Sequence, residues 1–243
     1  MRSLTFSKRC LKEILRDPLT LFFGLGFPVV LILLLSTIQK NIPVSLFEID
    51  ELAPGMIVFG LTFITLFSAL LVSKDRETAF LMRLYATPMT AVDFILGYTL
   101  PILPVAVAQA VICLLTGVFF GLKLSVNMLY VILAVIPLAV FFVGFGLLCG
   151  SIFNSKAVGG ICGALFANIS AWLSGLWFDL KLVGGVLENI ANVLPFMNGV
   201  KLLQLLYDGS FGDIWGHLAV VCAYAAVTFI LAVVVFLKQM KKA

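Results

Sequence analysis

The residue types that usually carry catalysis are few in this chain and lie far apart. Its one histidine, His217, stands at the edge of an apolar run, which is typical of an interfacial residue rather than a proton carrier or metal ligand. The five cysteines have no CxxC or Cys/His spacing, and this favours small packing residues over a metal site or a disulfide. Neither a Ser/His/Asp set nor an HExxH sequence can be assembled, so the sequence does not support hydrolytic chemistry.

Energy-converting chemistry is missing from the sequence as well. No GxxxxGK[ST] phosphate loop occurs, so the chain does not bind and split ATP by that route. Ion-coupled carriers place ionisable groups at mid-membrane, whereas the deep polar residues here are amides and hydroxyls such as Gln109, Asn168 and Ser170. We therefore predict no catalytic residue, no metal and no cofactor, and a mostly apolar pathway whose energy comes from another subunit.

The composition indicates that a lipid bilayer surrounds these residues. Of the 243 residues, 62% are hydrophobic and 12% charged, whereas soluble domains have about 45–50% and 25%. We predict an all-α polytopic membrane protein with a single transmembrane domain, 1–243. Charge-free windows of the roughly 20 residues that a spanning helix needs predict six transmembrane helices, at 18–39, 52–73, 94–122, 124–150, 157–178 and 214–237.

The distribution of lysine and arginine predicts how the chain is oriented. If the N-terminus is inside, the inner segments are 1–17, 74–93, 151–157 and 238–243, and they hold 12 of the 16 basic residues. We therefore predict a multi-pass protein of the cell (plasma) membrane with both termini cytoplasmic. The net charge of +4 is modest and gives no indication that the chain binds nucleic acid.

The pattern of apolar and basic side chains in residues 3–17 predicts an amphipathic helix just before the first span. Its apolar face carries Leu4, Leu11, Ile14 and Leu15, and its opposite face carries Arg9, Lys12 and Arg16. A basic amphipathic helix at this position is expected to lie in the inner headgroup layer. The alternative, a solvated charged extension, leaves the apolar face unexplained.

The second inner loop predicts a short helix at 75–86, which Asp75 caps and Pro88 stops. Thr90 and Asp93 then have the spacing of a capping box for the third span. Two interpretations of this short helix are equally compatible with its sequence. It could contact a partner protein, or it could pack on the membrane surface. On the outside, residues 180–209 predict two short helices, either a re-entrant hairpin or an amphipathic pair on the outer leaflet.

In the second inner loop, residues 75–77 are Asp-Arg-Glu, residues 84–88 are Leu-Tyr-Ala-Thr-Pro and residues 94–97 are Phe-Ile-Leu-Gly. These elements resemble the D/E-R-E-x-G-T-like stretch, the L-x-x-T-P and the span opening F-x-x-G of type-2 ABC transporter permeases. Residues 78–79 are Thr-Ala where the family usually has Gly-Thr, a departure that could alter how the loop helix begins. Residues 194–209 also resemble the outer segment before the last span of that family.

The resemblance implies that residues 3–17 form an interface helix, 75–86 a coupling helix in a groove of a separate ATPase, and 180–209 outer re-entrant helices. It also implies a working unit of two permease subunits, as a homodimer or heterodimer, with two ABC ATPase subunits, and export as the usual direction. The residues that it places against the ATPase are Asp75, Arg76, Glu77, Phe80, Arg83, Leu84 and Tyr85.

Three functions stay open at this point. The leading hypothesis is a half-transporter permease that forms a membrane pathway and converts closure of its ATPase partner into helix movement. A self-contained secondary carrier would instead be driven by an ion gradient. A membrane anchor or sensor subunit would bind a partner and transport nothing.

Overall fold

The computed structural model describes residues 2–43, 45–78, 80–81, 89–178, 180 and 184–240. Within these residues every regular element is helical, which confirms the predicted all-α class. The helices are α1 (Arg2–Arg16), α2 (Pro18–Gln39), α3 (Ile49–Glu77), α4 (Ala91–Phe119), α5 (Asn127–Ile152), α6 (Ser155–Leu173), α7 (Gly185–Val193), α8 (Pro195–Asp208) and α9 (Ile214–Met240). Helices α2 to α6 and α9 are long and apolar enough to cross a membrane, so the six predicted spans are confirmed.

The ends of the spans differ from the predicted windows because polar residues extend the helices beyond their apolar parts. Helix α3 has two acidic residues in its first turn and two basic residues in its last, an arrangement that the helix dipole favours. Helix α4 begins earlier than its apolar window because Thr90 and Asp93 exchange the two hydrogen bonds of the predicted capping box.

Three of the spans are irregular. Helix α2 contains a π-helical turn at Phe22–Gly26, and α6 is π-helical over Gly159–Phe166. Helix α4 is interrupted by a turn at 100–102, next to two prolines. Because π-helical turns pair their backbone groups less regularly than an α-helix, they mark places where a span can change shape.

Helix α3 lies at the centre of the bundle. Its most apolar window is 78% buried within the chain, whereas the corresponding windows of α2 and α9 are 28% buried and that of α6 is 33% buried. A buried hydroxyl joins α3 to α5, because Thr65 Oγ1 donates to the Phe142 carbonyl at 2.9 Å. The exposed faces of α2, α6 and α9 are thus left for lipid or for another subunit.

Two glycines of α5 let this helix approach α3 closely. A Cβ atom at Gly146 would overlap Ser68 Oγ and the Thr65 carbonyl, and one at Gly150 would overlap the backbone of Ala69. Backbone atoms of a buried helix do not move aside as a flexible side chain does, so glycine is required at both crossing points.

The substitution Gly150→Ala is expected to destabilise the α3–α5 contact by about 1–3 kcal/mol, because the added methyl group overpacks the crossing point. Gly159→Ala on α6 is the matched control, since a Cβ atom there has nothing within 4 Å. Thermal unfolding of both variants in detergent measures the difference. Equal melting temperatures would contradict the close α3–α5 packing.

Helices α7 and α8 lie at the end of the bundle away from α1. Asn127, at the start of α5, donates from Nδ2 to the Tyr207 carbonyl at 3.0 Å, and the Tyr207 hydroxyl donates to the Lys123 carbonyl at 3.1 Å. Gly209 ends α8 with a φ of 78°, a conformation that glycine adopts without strain. The described part of 180–209 therefore includes the two short helices α7 and α8, and their re-entry into the leaflet stays a prediction.

Candidate functional site

Helix α1 packs on the first part of α4 through one apolar stripe. Phe6, Cys10 and Ile14 recur every four residues along it and are buried. The Phe6 ring meets Phe94 and Tyr98 edge to face, with centroids 5.9 and 4.8 Å apart. Three buried side chains on one face hold α1 against the bundle as a docked element.

The exposed surface of α1 differs from the prediction. Leu4 and Leu15 were expected to share an apolar face with Ile14, but they are 57% and 55% exposed while Ile14 is buried. Lys12 and Arg16 occupy a third stripe, which is exposed. The helix thus has two apolar stripes, and the one that contains aromatic and thiol side chains contacts the protein.

A buried carboxylate at the end of α3 ties α1 and α4 together. Asp75 accepts hydrogen bonds from Arg9 Nη1 and Nη2 at 2.6 and 2.7 Å and from the Tyr98 hydroxyl at 2.9 Å. Arg9 also pairs with Glu13 at 3.1 Å and lies over the Phe80 ring, 4.1 Å from its centroid. The hydrogen bonds to Asp75 raise the pKa of Arg9 above its usual range, so its positive charge is permanent.

The prediction that Asp75 caps a separate helix is wrong. Helix α3 runs without interruption through Asp75 to Glu77, and the Asp75 carboxylate is occupied by Arg9 and Tyr98. A carboxylate in the last turn of a helix is normally exposed because burial of its charge costs free energy. Here the bidentate contact with an arginine offsets that cost and lets the helix continue.

Polar contacts from the last five residues of α3 also tie its end to the start of α6. Glu77 accepts from the Ser155 backbone N–H at 2.8 Å and from the Ser155 hydroxyl at 2.7 Å. Arg76 donates to the Phe153 carbonyl at 3.2 Å, and Ser73 Oγ lies 3.2 Å from Ser155 Oγ. An acidic side chain at the first N–H groups of a helix is favoured by the helix dipole, so Glu77 stabilises the beginning of α6.

The end of α9 reaches the same place. The Phe236 ring lies 5.7 Å from Phe94 and 6.4 Å from Tyr98, between centroids. Gln239 Nε2 donates to the Ser151 carbonyl at the end of α5.

We call the set Arg9, Asp75, Glu77, Tyr98 and Ser155 the α3 junction, since its hydrogen bonds join α1, α4 and α6 to one helix end.

The α3 junction is a set of hydrogen bonds and ion pairs between helix ends. Its carboxylates are engaged in hydrogen bonds and ion pairs within the chain. In the described part of the chain, no group of three or more His, Cys, Asp or Glu side chains is placed to hold a metal ion. What the arrangement does is fix the relative positions of four helices at one end of the bundle.

Residues 3–207 match the family profile described as ABC-2 type transporter. The chain belongs to this family. Its relatives include the protein named probable multidrug ABC transporter permease YbhR in Escherichia coli K12 and in Escherichia coli O157:H7. Each is 26% identical over 188 residues, or 74% of this chain. The chain spans about half the length, 49%, of these curated relatives.

The ABC-2 chain brings some of the predicted contact residues together. Those that the structure places at the end of α3 or just beyond it are Asp75, Arg76, Glu77 and Phe80. Those that fall outside the described residues are Arg83, Leu84 and Tyr85. Tyr98 and Ser155 carry no local sequence signal, because their partners Asp75 and Glu77 are 23 and 78 positions away in the chain.

Cys10 offers a direct measure of whether α1 is docked. Its side chain has no exposed surface, and burial raises the pKa of its thiol to about 12. At pH 8 we therefore expect Cys10 to stay a protonated, shielded thiol that does not react with a maleimide. The control Lys12→Cys, on the exposed stripe of the same helix, should be labelled readily. Peptide mass spectrometry distinguishes the two sites, and equal labelling rates would contradict the docked position of α1.

Proposed function

We propose that this ABC-2 chain is the transmembrane permease subunit of an ATP-driven exporter, and that a separate ATPase subunit supplies its energy. The α3 junction is the observation that supports this function. It holds α1, α4 and α6 at the helix end that contains the first residues of 75–86, the segment resembling a coupling helix. A partner that displaces this segment would pull on three helices at once.

The hydrogen bonds of the α3 junction are rigid enough for a movement of the end of α3 to move the attached helices with it. Bidentate and charge-assisted hydrogen bonds have narrow geometry, and α3 itself is enclosed by the other helices. Helix α6 is the most adaptable of the connected helices, because it is largely exposed and π-helical over Gly159–Phe166. We therefore place the coupled movement in α6, driven through Glu77 and Ser155.

The exposed face of α6 is where we propose that the pathway forms. Asn168 is exposed on this face in the middle of a span, and its amide donates to the Ala164 carbonyl at 2.8 Å. The remaining amide oxygen would be unsatisfied against hydrocarbon. A second permease subunit facing α6 would enclose a mostly apolar pathway with a few hydrogen-bonding groups, which suits an amphiphilic cargo.

The proposed assembly contains two permease subunits and two ATPase subunits in the plasma membrane. The excess of lysine and arginine at the α1 end supports a cytoplasmic location for that end and for both termini. In this assembly the permease performs no hydrolysis itself, and the phosphate loop that it lacks belongs to the partner.

Co-purification in a mild detergent, followed by reconstitution, tests the proposal. We expect a partner with a phosphate loop to co-purify, and ATP to drive transport in liposomes that contain both proteins. Ion-driven transport by this chain alone would identify a secondary carrier instead. A bound partner without transport of any offered amphiphile would favour the anchor or sensor function.

A further inference from the structure

An open basic cleft lies between α1, the start of α2 and the end of α3. It has a volume of about 920 Å³. Its positive lining includes Lys8, Lys12, Arg16 and Lys74, and its acidic lining consists of Glu13 and Asp17. None of the residues that define the coupling between α3 and α6 lines this cleft.

The four cations are available to a ligand. Lys8, Lys12 and Arg16 recur every four residues on the exposed stripe of α1, and Lys74 is exposed on α3 across the cleft. None of the four forms an ion pair with any residue that the structure describes, since the ion pairs found there both belong to Arg9.

The two acids of the cleft are already engaged. Glu13 pairs with Arg9 at 3.1 Å. Asp17 caps α2, accepting from the Leu19 N–H at 3.1 Å and from the Thr20 hydroxyl at 2.9 Å. Burial alone would raise the pKa of Asp17, but these hydrogen bonds outweigh it, and the pKa is lowered on balance. Because five cations (Lys8, Arg9, Lys12, Arg16 and Lys74) line the cleft against these two acids, it keeps a surplus of positive charge.

The surplus of positive charge favours an anionic ligand, and the position of the cleft indicates where that ligand comes from. Pro18 begins the first span, and Lys74 lies in the last turn of the second, so the cleft sits where two spans leave the apolar layer. Leu4 and Leu15 form an exposed apolar stripe directly beside the basic one on α1. A ligand that fits both stripes has a phosphate group and acyl chains.

We propose that this cleft binds the phosphate of an anionic phospholipid from the surrounding leaflet. Lys12 and Lys74 contact the phosphate from opposite walls, while the acyl chains lie along Leu4 and Leu15. The bound lipid bridges α1 and α3 next to Arg9, which also lines the cleft and belongs to the α3 junction. Lipid binding can be tested on the purified chain alone, without an ATPase partner.

Native mass spectrometry of the full-length chain in detergent, titrated with phosphatidylglycerol or phosphatidylcholine, measures the binding. We expect preferential binding of phosphatidylglycerol, and a loss of affinity of roughly fivefold for each of Lys12→Gln and Lys74→Gln. Lys156→Gln is the matched control, because Lys156 is exposed at the same end of the bundle but does not line the cleft. The pair Lys12→Arg and Lys74→Arg should retain binding, since charge is kept.

Three results would overturn the proposal. An equal loss of affinity in Lys156→Gln would show a diffuse charge effect rather than a site. Equal binding of phosphatidylcholine would show that the negative charge is not recognised. Displacement of phosphatidylglycerol by millimolar inorganic phosphate would assign the cleft to a free anion and not to a lipid.

Discussion

Replacing Arg9 by alanine is expected to destabilise the chain by about 1–3 kcal/mol, the cost of leaving a buried acceptor short of its donors. The reason is the environment of Asp75, which is 3% exposed and, among the residues that the structure describes, would keep only the Tyr98 hydroxyl as a donor. Asp75→Asn should lower the free energy of unfolding by less than Arg9→Ala does, because the Arg9 side chain is 37% exposed and can turn towards water. Chemical or thermal unfolding in detergent gives both values.

Two further variants separate the ion pair from the surface charge of α1. Lys12→Ala removes a cation from the same helix at a position without an ion pair among the described residues, and it should change stability by less than about 0.5 kcal/mol. Combining Arg9→Met with Asp75→Leu replaces the pair by apolar groups and should recover most of the lost stability. An Arg9→Ala variant as stable as Lys12→Ala would show that the contact does not hold α1.

The spans could be predicted from the sequence because their position depends on local hydropathy. A window of about 20 apolar residues has few stable environments other than a bilayer, so all six windows correspond to helices. The capping box at Thr90 and Asp93 was predictable for the same reason, since both partners lie within one turn. Local rules fix local structure even when the rest of the fold is unknown.

Asp75 shows what local rules miss. An acidic residue after an apolar window suggests the end of the span and the start of a loop. The residue that keeps it in the helix is Arg9, which is 66 positions away, and no local pattern connects the two. The docked face of α1 was missed for a related reason: its periodicity is shared by two apolar stripes, and only the tertiary structure shows which one contacts α4.

The link between Glu77 and Ser155 carries the largest functional prediction. We expect Glu77→Ala to reduce ATP-driven transport in a reconstituted complex by roughly fivefold or more, the usual size of a coupling between two sites. ATP hydrolysis by the partner should continue, because the substitution cuts the connection to α6 and not the ATPase. Phe80→Asp should uncouple as well, since it places a third carboxylate beside Arg9, after those of Asp75 and Glu13.

Matched variants decide whether the effect belongs to this contact. Glu48→Ala removes an exposed acid at the opposite end of α3 and should leave transport per ATP unchanged. Ser155→Ala removes the hydroxyl but keeps the backbone N–H that also donates to Glu77, so its loss should be smaller than that of Glu77→Ala. The double variant should be no worse than Glu77→Ala alone. Wild-type coupling in both Glu77→Ala and Phe80→Asp would show that force does not pass through this end of α3. Additive losses in the double variant would instead show that Glu77 acts on a group other than Ser155, which would separate its role from the start of α6.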